Sequence, residues 1–176
     1  MPAAWPGNNT HEPKVLPGGI ILLPTGLILA AQNEAELAGM LAHALAHSAG
    51  RHELGTAFYP VMFGASGLTP GRISAQRKFE IEADQEAVRL MAKAGYDPES
   101  LPSYVARVQK PAVGNVSRLF AAHASIEERV ASIRSAASGL SIAEPALSGD
   151  VRSIQDELSK QAARQPRERP TLKRRP

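Results

Sequence analysis

At 176 residues with 43% apolar side chains, the chain can bury one ordinary core and carry a tail, which excludes a wholly disordered polymer. It has no cysteine, which excludes disulfides, thiolate ligands and cysteine nucleophiles, so any metal site must use His, Asp or Glu. The net charge of +3 is uneven: residues 160–176 hold Lys160, Arg164, Arg167, Arg169, Lys173, Arg174 and Arg175 against Glu168, leaving the rest of the chain acidic.

The high isoelectric point therefore belongs to the tail. No aromatic residue interleaves its charges, so it reads as a solvated terminus and no nucleic-acid partner is expected.

Residues 1–13 are polar with Pro, Gly and Asn, and read as an irregular lead-in. The apolar run from Val15 to Ala31 is 17 residues long and broken by Pro17, Gly18, Gly19, Pro24 and Gly26. A membrane-spanning helix needs about 20 uninterrupted apolar residues. A signal peptide, with Lys14 as basic flank and Leu29-Ala30-Ala31 as cleavage site, is the weaker reading of the same run. No transmembrane segment is expected in this chain, and an export signal, if the protein has one, would lie outside it. Ile20–Leu23 and Leu27–Leu29 are β-prone runs separated by Pro24-Thr25-Gly26, and proline confines such a strand to a sheet edge.

The first clear helix starts at Asn33, an N-cap with Glu36 as its capping-box partner. Leu37, Met40, Leu41, Ala44, Leu45 and Ser48 share one face at helical spacing, and Gly50 ends the pattern. Residues 53–73 lack periodicity and read as a loop. A second helix is predicted from about Ser74 to Ala94, stopped by Gly95. Asp97-Pro98 opens a third, with Leu101, Tyr104, Val105 and Val108 inward. Ser125 and Glu128 form another capping box, for a helix running to Gly139. From residue 140 the periodicity fades apart from a short helix near 150–163, and the Pro/Arg-rich end is expected to be disordered. The domain reading is thus 1–13 lead-in, 14–139 folded domain and 140–176 extension.

His43-Ala44-Leu45-Ala46-His47 lies within the first helix. Histidines at i and i+4 stand one above the other, so both can reach a single ion at about 2.0–2.1 Å. The same spacing suits two half-buried histidines in an alanine-rich helix, and alone does not decide between them. On the second helix, Glu80 and Asp84 are again i and i+4. Glu80 can complete a His₂Glu zinc site, and Asp84 can accept a hydrogen bond from a ligand imidazole and fix its tautomer. A solvated acidic face is the plainer reading, and Glu82 and Glu86 suit it.

The order of Leu16-Pro17-Gly18-Gly19, Thr25-Gly26-Leu27, Ala31–Gly39, His43–His47, Arg51-His52, Glu80–Ala87 and Ala94–Pro98 resembles the gluzincin metallopeptidases. That group includes the HtpX heat-shock, BepA-type periplasmic and CaaX prenyl proteases, with H-E-x-x-H followed by E-x-x-A-D-x-x-A. The resemblance spans about residues 16–130. It implies an α+β fold: a mostly helical zincin-like core with a small sheet whose edge strand borders the active-site cleft. It implies one zinc ion on His43, His47 and Glu80, Asp84 as their support, and hydrolysis of peptide bonds in peptide or unfolded protein substrates. It also points to protein quality control in the periplasm or cell envelope, with membrane association open. The Gly19, Ile20, Ile21 and Leu22 segment would be the substrate-binding strand. The family's later His-Pro and Arg read here as His123-Ala124 and Arg129. The missing proline leaves His123 a catalytic candidate or a surface histidine, while His52 is assigned to the helix end and His11 to the lead-in.

The departure is Ala44, where the pattern places its general-base glutamate. Alanine cannot take a proton from water or return one to a leaving amine. With every other site residue retained, a deliberate substitution is favoured over a natural pseudopeptidase serving as a zinc-containing binding or chaperone-like module.

Overall fold

In the computed structural model of the chain, the structure describes residues 10–52, 70–108, 124–144 and 149–164. The described elements run β1 (Lys14–Leu16), β2 (Ile20–Leu22), α1 (Thr25–Ala30), α2 (Glu34–Ala49), α3 (Pro70–Lys93), α4 (Ser100–Val108), α5 (Ile126–Ala137) and α6 (Val151–Arg164). The class is α+β and mostly helical.

The two strands form an antiparallel hairpin with Lys14 opposite Leu22, Val15 opposite Ile21 and Leu16 opposite Ile20. Its turn is Pro17-Gly18-Gly19, with φ of 92° at Gly18 and 79° at Gly19. Two successive left-handed residues are cheap only as glycine.

The second β-prone run is a correction: Leu27–Leu29 lies in helix α1. Pro24 holds extended dihedrals before the helix, and its carbonyl accepts from the amides of Leu27 at 3.0 Å and Ile28 at 3.3 Å. Proline thus ends the strand and starts the helix, whose Leu27 is fully buried.

Helix α2 begins as its cap predicts, with the Asn33 side chain accepting from the Glu36 amide at 2.9 Å. The reciprocal arm differs from a capping box. Glu36 accepts from the amide of Gln32 at 2.7 Å, and its buried carboxylate also pairs with Arg107. The buried face is rotated from the expected one. Gly39, Met40, Ala42, His43, Ala44 and Ala46 face inward, while Leu41 and Leu45 are exposed. Packing selected the small side chains, because α2 lies closely along α3, its most extensive partner.

Helix α3 starts at Pro70, so residues 70–73 of the expected loop are helical; residues 53–69 fall outside the described segments. Helix α4 begins at Ser100, two residues later than Asp97-Pro98 suggested. The intervening turn is held by Ser100 N–H to Asp97 carbonyl and by Glu99 N–H to the Asp97 side chain. The Ser125–Glu128 capping box is present with both arms. One core joins these helices, with Leu27, Met40, Val88, Met91, Leu101, Tyr104, Val105 and Ile133 at its centre.

Helix α6 covers Val151–Arg164 and is anchored to α1. Gln155 Nε2 donates to the carbonyls of Ile28 and Ala31, both at 2.8 Å, satisfying groups that a helix end leaves open. Among the described residues, no helix is long and apolar enough to cross a membrane.

Candidate metal centre

The close packing of α2 on α3 sets the carboxylate of Glu80 against the two histidines of α2. His43 and His47, one helical turn apart, point their Nε2 atoms at each other across 3.1 Å. Glu80 spans the pair, with Oε2 3.6 Å from His43 Nε2 and Oε1 3.4 Å from His47 Nε2. One donor atom from each of the three lies within 4.8 Å of the others. Zinc bonds of about 2.0–2.1 Å at the tetrahedral angle separate neighbouring donors by about 3.3–3.4 Å. The three measured separations bracket that value. Two imidazoles and one carboxylate are a zinc donor set, and the residues fit the ion in type and spacing.

The surroundings hold this triangle in place. Asp84, fully buried one turn beyond Glu80, sets Oδ1 2.9 Å from His43 Nδ1. That separation is within hydrogen-bonding distance, although His43 Nδ1 meets no partner with full hydrogen-bond geometry. Arg129 on α5 is also buried and donates through Nε and Nη2 to the two oxygens of Asp84, each at 2.7 Å. Its Nη1 reaches within 3.6 Å of Glu80 Oε2. Burial pushes the Asp84 carboxyl up, but the Arg129 hydrogen bonds and the contact with His43 outweigh it, and the net displacement is downward. Burial likewise disfavours the Arg129 charge, yet the hydrogen bonds to the Asp84 carboxylate make the guanidinium hold its proton more tightly than usual. Asp84 is therefore an anion at neutral pH, able to accept an imidazole proton.

Two residues matter more to this arrangement than their sequence positions suggest. Arg129, noted only as the arginine following His123-Ala124, is the buried counter-ion of the site. His52, assigned to the helix end, lies against His47, with Nδ1 3.1 Å from His47 Nδ1, and its ring stacks on Phe79. The paired motif Arg51-His52 was the available signal for His52. Ala44 is fully buried between the two histidines and brings no polar group. His123 lies outside the described residues. In the hairpin, Gly19 and Ile20 are exposed and Ile21 and Leu22 half-buried. A Cβ on Gly19 would stand 3.7 Å from Ser48 Oγ, which places the turn beside α2 one residue from His47.

Comparison with known proteins agrees with this geometry. The model of peptidase family M48 matches residues 14–66 and 54–137, a span that includes every residue of the triangle. A putative beta-barrel assembly-enhancing protease of Vibrio cholerae is 29% identical over 119 residues, covering 52% of this chain and 25% of its own length. The mitochondrial metalloendopeptidase OMA1 of Arabidopsis thaliana is 30% identical over 127 residues, 61% of this chain and 26% of its own. A beta-barrel assembly-enhancing protease of Yersinia pestis is 27% identical over 119 residues, 52% of this chain and 24% of its own. The chain thus spans about a quarter of the length of these relatives. With the family model matched across most of the chain and a zinc donor set at its centre, the chain belongs to peptidase family M48.

Proposed function

We propose that this chain carries the metal centre of a zinc-dependent metalloendopeptidase that cleaves protein substrates in quality control at the cell envelope. The observation that carries the reading is the convergence of His43, His47 and Glu80 donors at zinc spacing. These three residues hold one ion. Asp84 keeps a proton on His43 Nδ1, so that the Nε2 lone pair faces the site. Arg129 neutralises Asp84, which keeps that carboxylate ionised, and its Nη1 lies 3.6 Å from Glu80 Oε2. When bound, zinc supplies Lewis acidity for peptide-bond hydrolysis.

Ala44 offers no atom that can take or return a proton, so this chain binds zinc and peptide but hydrolyses poorly. The retention of Asp84 and Arg129 around an intact donor set favours a deliberate substitution. Gly19 and strand β2 after it (Ile20–Leu22) are the candidate edge for a peptide to join as an added strand. Its support is the half-exposed Ile20 and the placement of the hairpin turn beside α2.

Metal analysis of the purified chain tests the ligand set. One zinc per chain is expected, with loss in His43→Ala and in Glu80→Ala. Undiminished stoichiometric zinc in either variant sinks the assignment.

A further inference from the structure

Beyond the last turn of α2 the chain doubles back in a way that serves one side chain. Arg51 adopts a left-handed φ of 53°, uncommon for a residue with a Cβ. A Cβ on Gly50 would fall 2.4 Å from His52 Nε2 and 2.8 Å from Cδ2, so only glycine leaves space for the ring. Phe79 of α3 closes the other side, stacked on His52 with centroids 4.5 Å apart and planes 14° from parallel. The buried ring is thereby fixed with Nδ1 3.1 Å from His47 Nδ1 and Nε2 3.7 Å from Glu82 Oε2.

Of two imidazole nitrogens facing each other at 3.1 Å, one must carry the hydrogen and the other accept it. If His47 gives Nε2 to a metal, its proton must sit on Nδ1, and the bare nitrogen is then His52 Nδ1. His52 in turn keeps its proton on Nε2, on the side of the Glu82 carboxylate. We propose that His52 is a positioning residue for His47: it accepts the Nδ1 proton of His47, fixing the tautomer and ring orientation that present Nε2 to zinc. This rests on the metal-centre reading above. His52 does for His47 what Asp84 does for His43, so each imidazole of the pair has its own outer acceptor. Such outer partners are worth about 10–100-fold in metal affinity.

The test uses the full chain, zinc competition against a chromophoric chelator, and nitrogen-resolved imidazole NMR of the zinc-loaded protein. His52→Phe keeps a ring on Phe79 but removes the acceptor, and is expected to weaken zinc binding about 10–100-fold at unchanged stoichiometry. His52→Asn places an amide oxygen near the position of Nδ1 and is expected to recover most of that loss. Gly50→Ala leaves the imidazole chemistry intact but displaces the ring, and is expected to weaken binding as well. The spectra are expected to show His47 protonated on Nδ1 and His52 on Nε2. Wild-type affinity in His52→Phe, or His52 protonated on Nδ1 in the zinc-loaded chain, overturns the proposal. If His52→Phe does not fold, Gly50→Ala and the spectra of the unaltered chain still decide. An unaltered chain that binds no zinc overturns the metal-centre reading itself, and this proposal with it.

Discussion

Arg129 and Asp84 form a two-armed ion pair, Nε to Oδ2 and Nη2 to Oδ1, both at 2.7 Å, with neither side chain more than 1% exposed. The pair ties α5 to α3, and through the Asp84 contact with His43 it reaches α2. Three helices thus meet at one buried carboxylate beside the donor triangle. Its orientation fixes the site as much as the spacing on α2 does.

Removing one partner leaves the other charge buried without compensation, which costs about 3–5 kcal/mol. Arg129→Ala is therefore expected to lower stability by that amount, a fall in melting temperature of roughly 6–20 °C for a chain of this size. Replacing both, as in Asp84→Leu with Arg129→Met, is expected to cost much less than the sum of the single changes. Denaturant unfolding of the two single variants and the double variant measures the coupling.

Ala44→Glu restores the residue type that the pattern calls for between the two histidines. The general-base contribution is about 10²–10⁴ in rate, and that is the expected gain on a denatured protein substrate. Zinc content should stay at one per chain, because no donor is altered. A folded, zinc-loaded Ala44→Glu protein with no added hydrolysis would count against the peptidase reading and favour a binding module.

The donor triangle was legible in the sequence because each half of it is local. A helix turns i and i+4 onto one face wherever it packs, so His43 with His47 and Glu80 with Asp84 could be paired before any tertiary contact was known. Arg129 and His52 were not legible in the same way. Arg129 lies 45 residues from its carboxylate, and no spacing rule links them. His52 is only five residues from His47, but it returns through the left-handed Arg51, which periodicity cannot anticipate. The rotation of α2 away from its hydrophobic stripe has a packing cause. Leu41 and Leu45 looked like core by hydrophobicity, yet Gly39, Ala42 and Ala46 are the residues small enough to face neighbouring helices. A Cβ on Gly39 would already stand 3.2 Å from Leu101 Cβ and Met91 Sδ. At Pro24 the same residue that marks a strand edge also starts a helix, and apolar runs too short to show periodicity did not separate the two.

Zinc that binds only the folded chain must stabilise it. Free metal at about 100 times Kd adds about 2.7 kcal/mol, a rise in melting temperature of roughly 5–11 °C. Chelation is expected to reverse that rise, and Glu80→Ala to abolish it. Thermal unfolding with and without chelator, at matched ionic strength, checks both. Equal melting curves for loaded and stripped protein would mean that the triangle does not hold the ion.

The last prediction concerns alkaline pH and Tyr104, fully buried where α4 meets α1. Its hydroxyl donates to the carbonyl of His11 at 3.1 Å, and burial pushes its ionisation well above the ordinary tyrosine range. The native state therefore keeps this proton more tightly than the unfolded chain does. Its stabilising contribution is full below the unfolded value of about 10 and declines as pH rises above it. Tyr96 acts in the same direction, because its hydrogen bond to Glu34 favours the neutral phenol. Melting temperatures taken between about pH 8 and pH 11 should fall most steeply in the upper part of that range. Tyr104→Phe keeps the ring but removes the titrating group, so its profile should be flatter above about pH 10. At neutral pH the same variant is expected to lose about 1 kcal/mol, the net worth of a hydrogen bond whose acceptor stays behind. A Tyr104→Phe profile parallel to that of the unaltered chain would show that another group governs the alkaline limit.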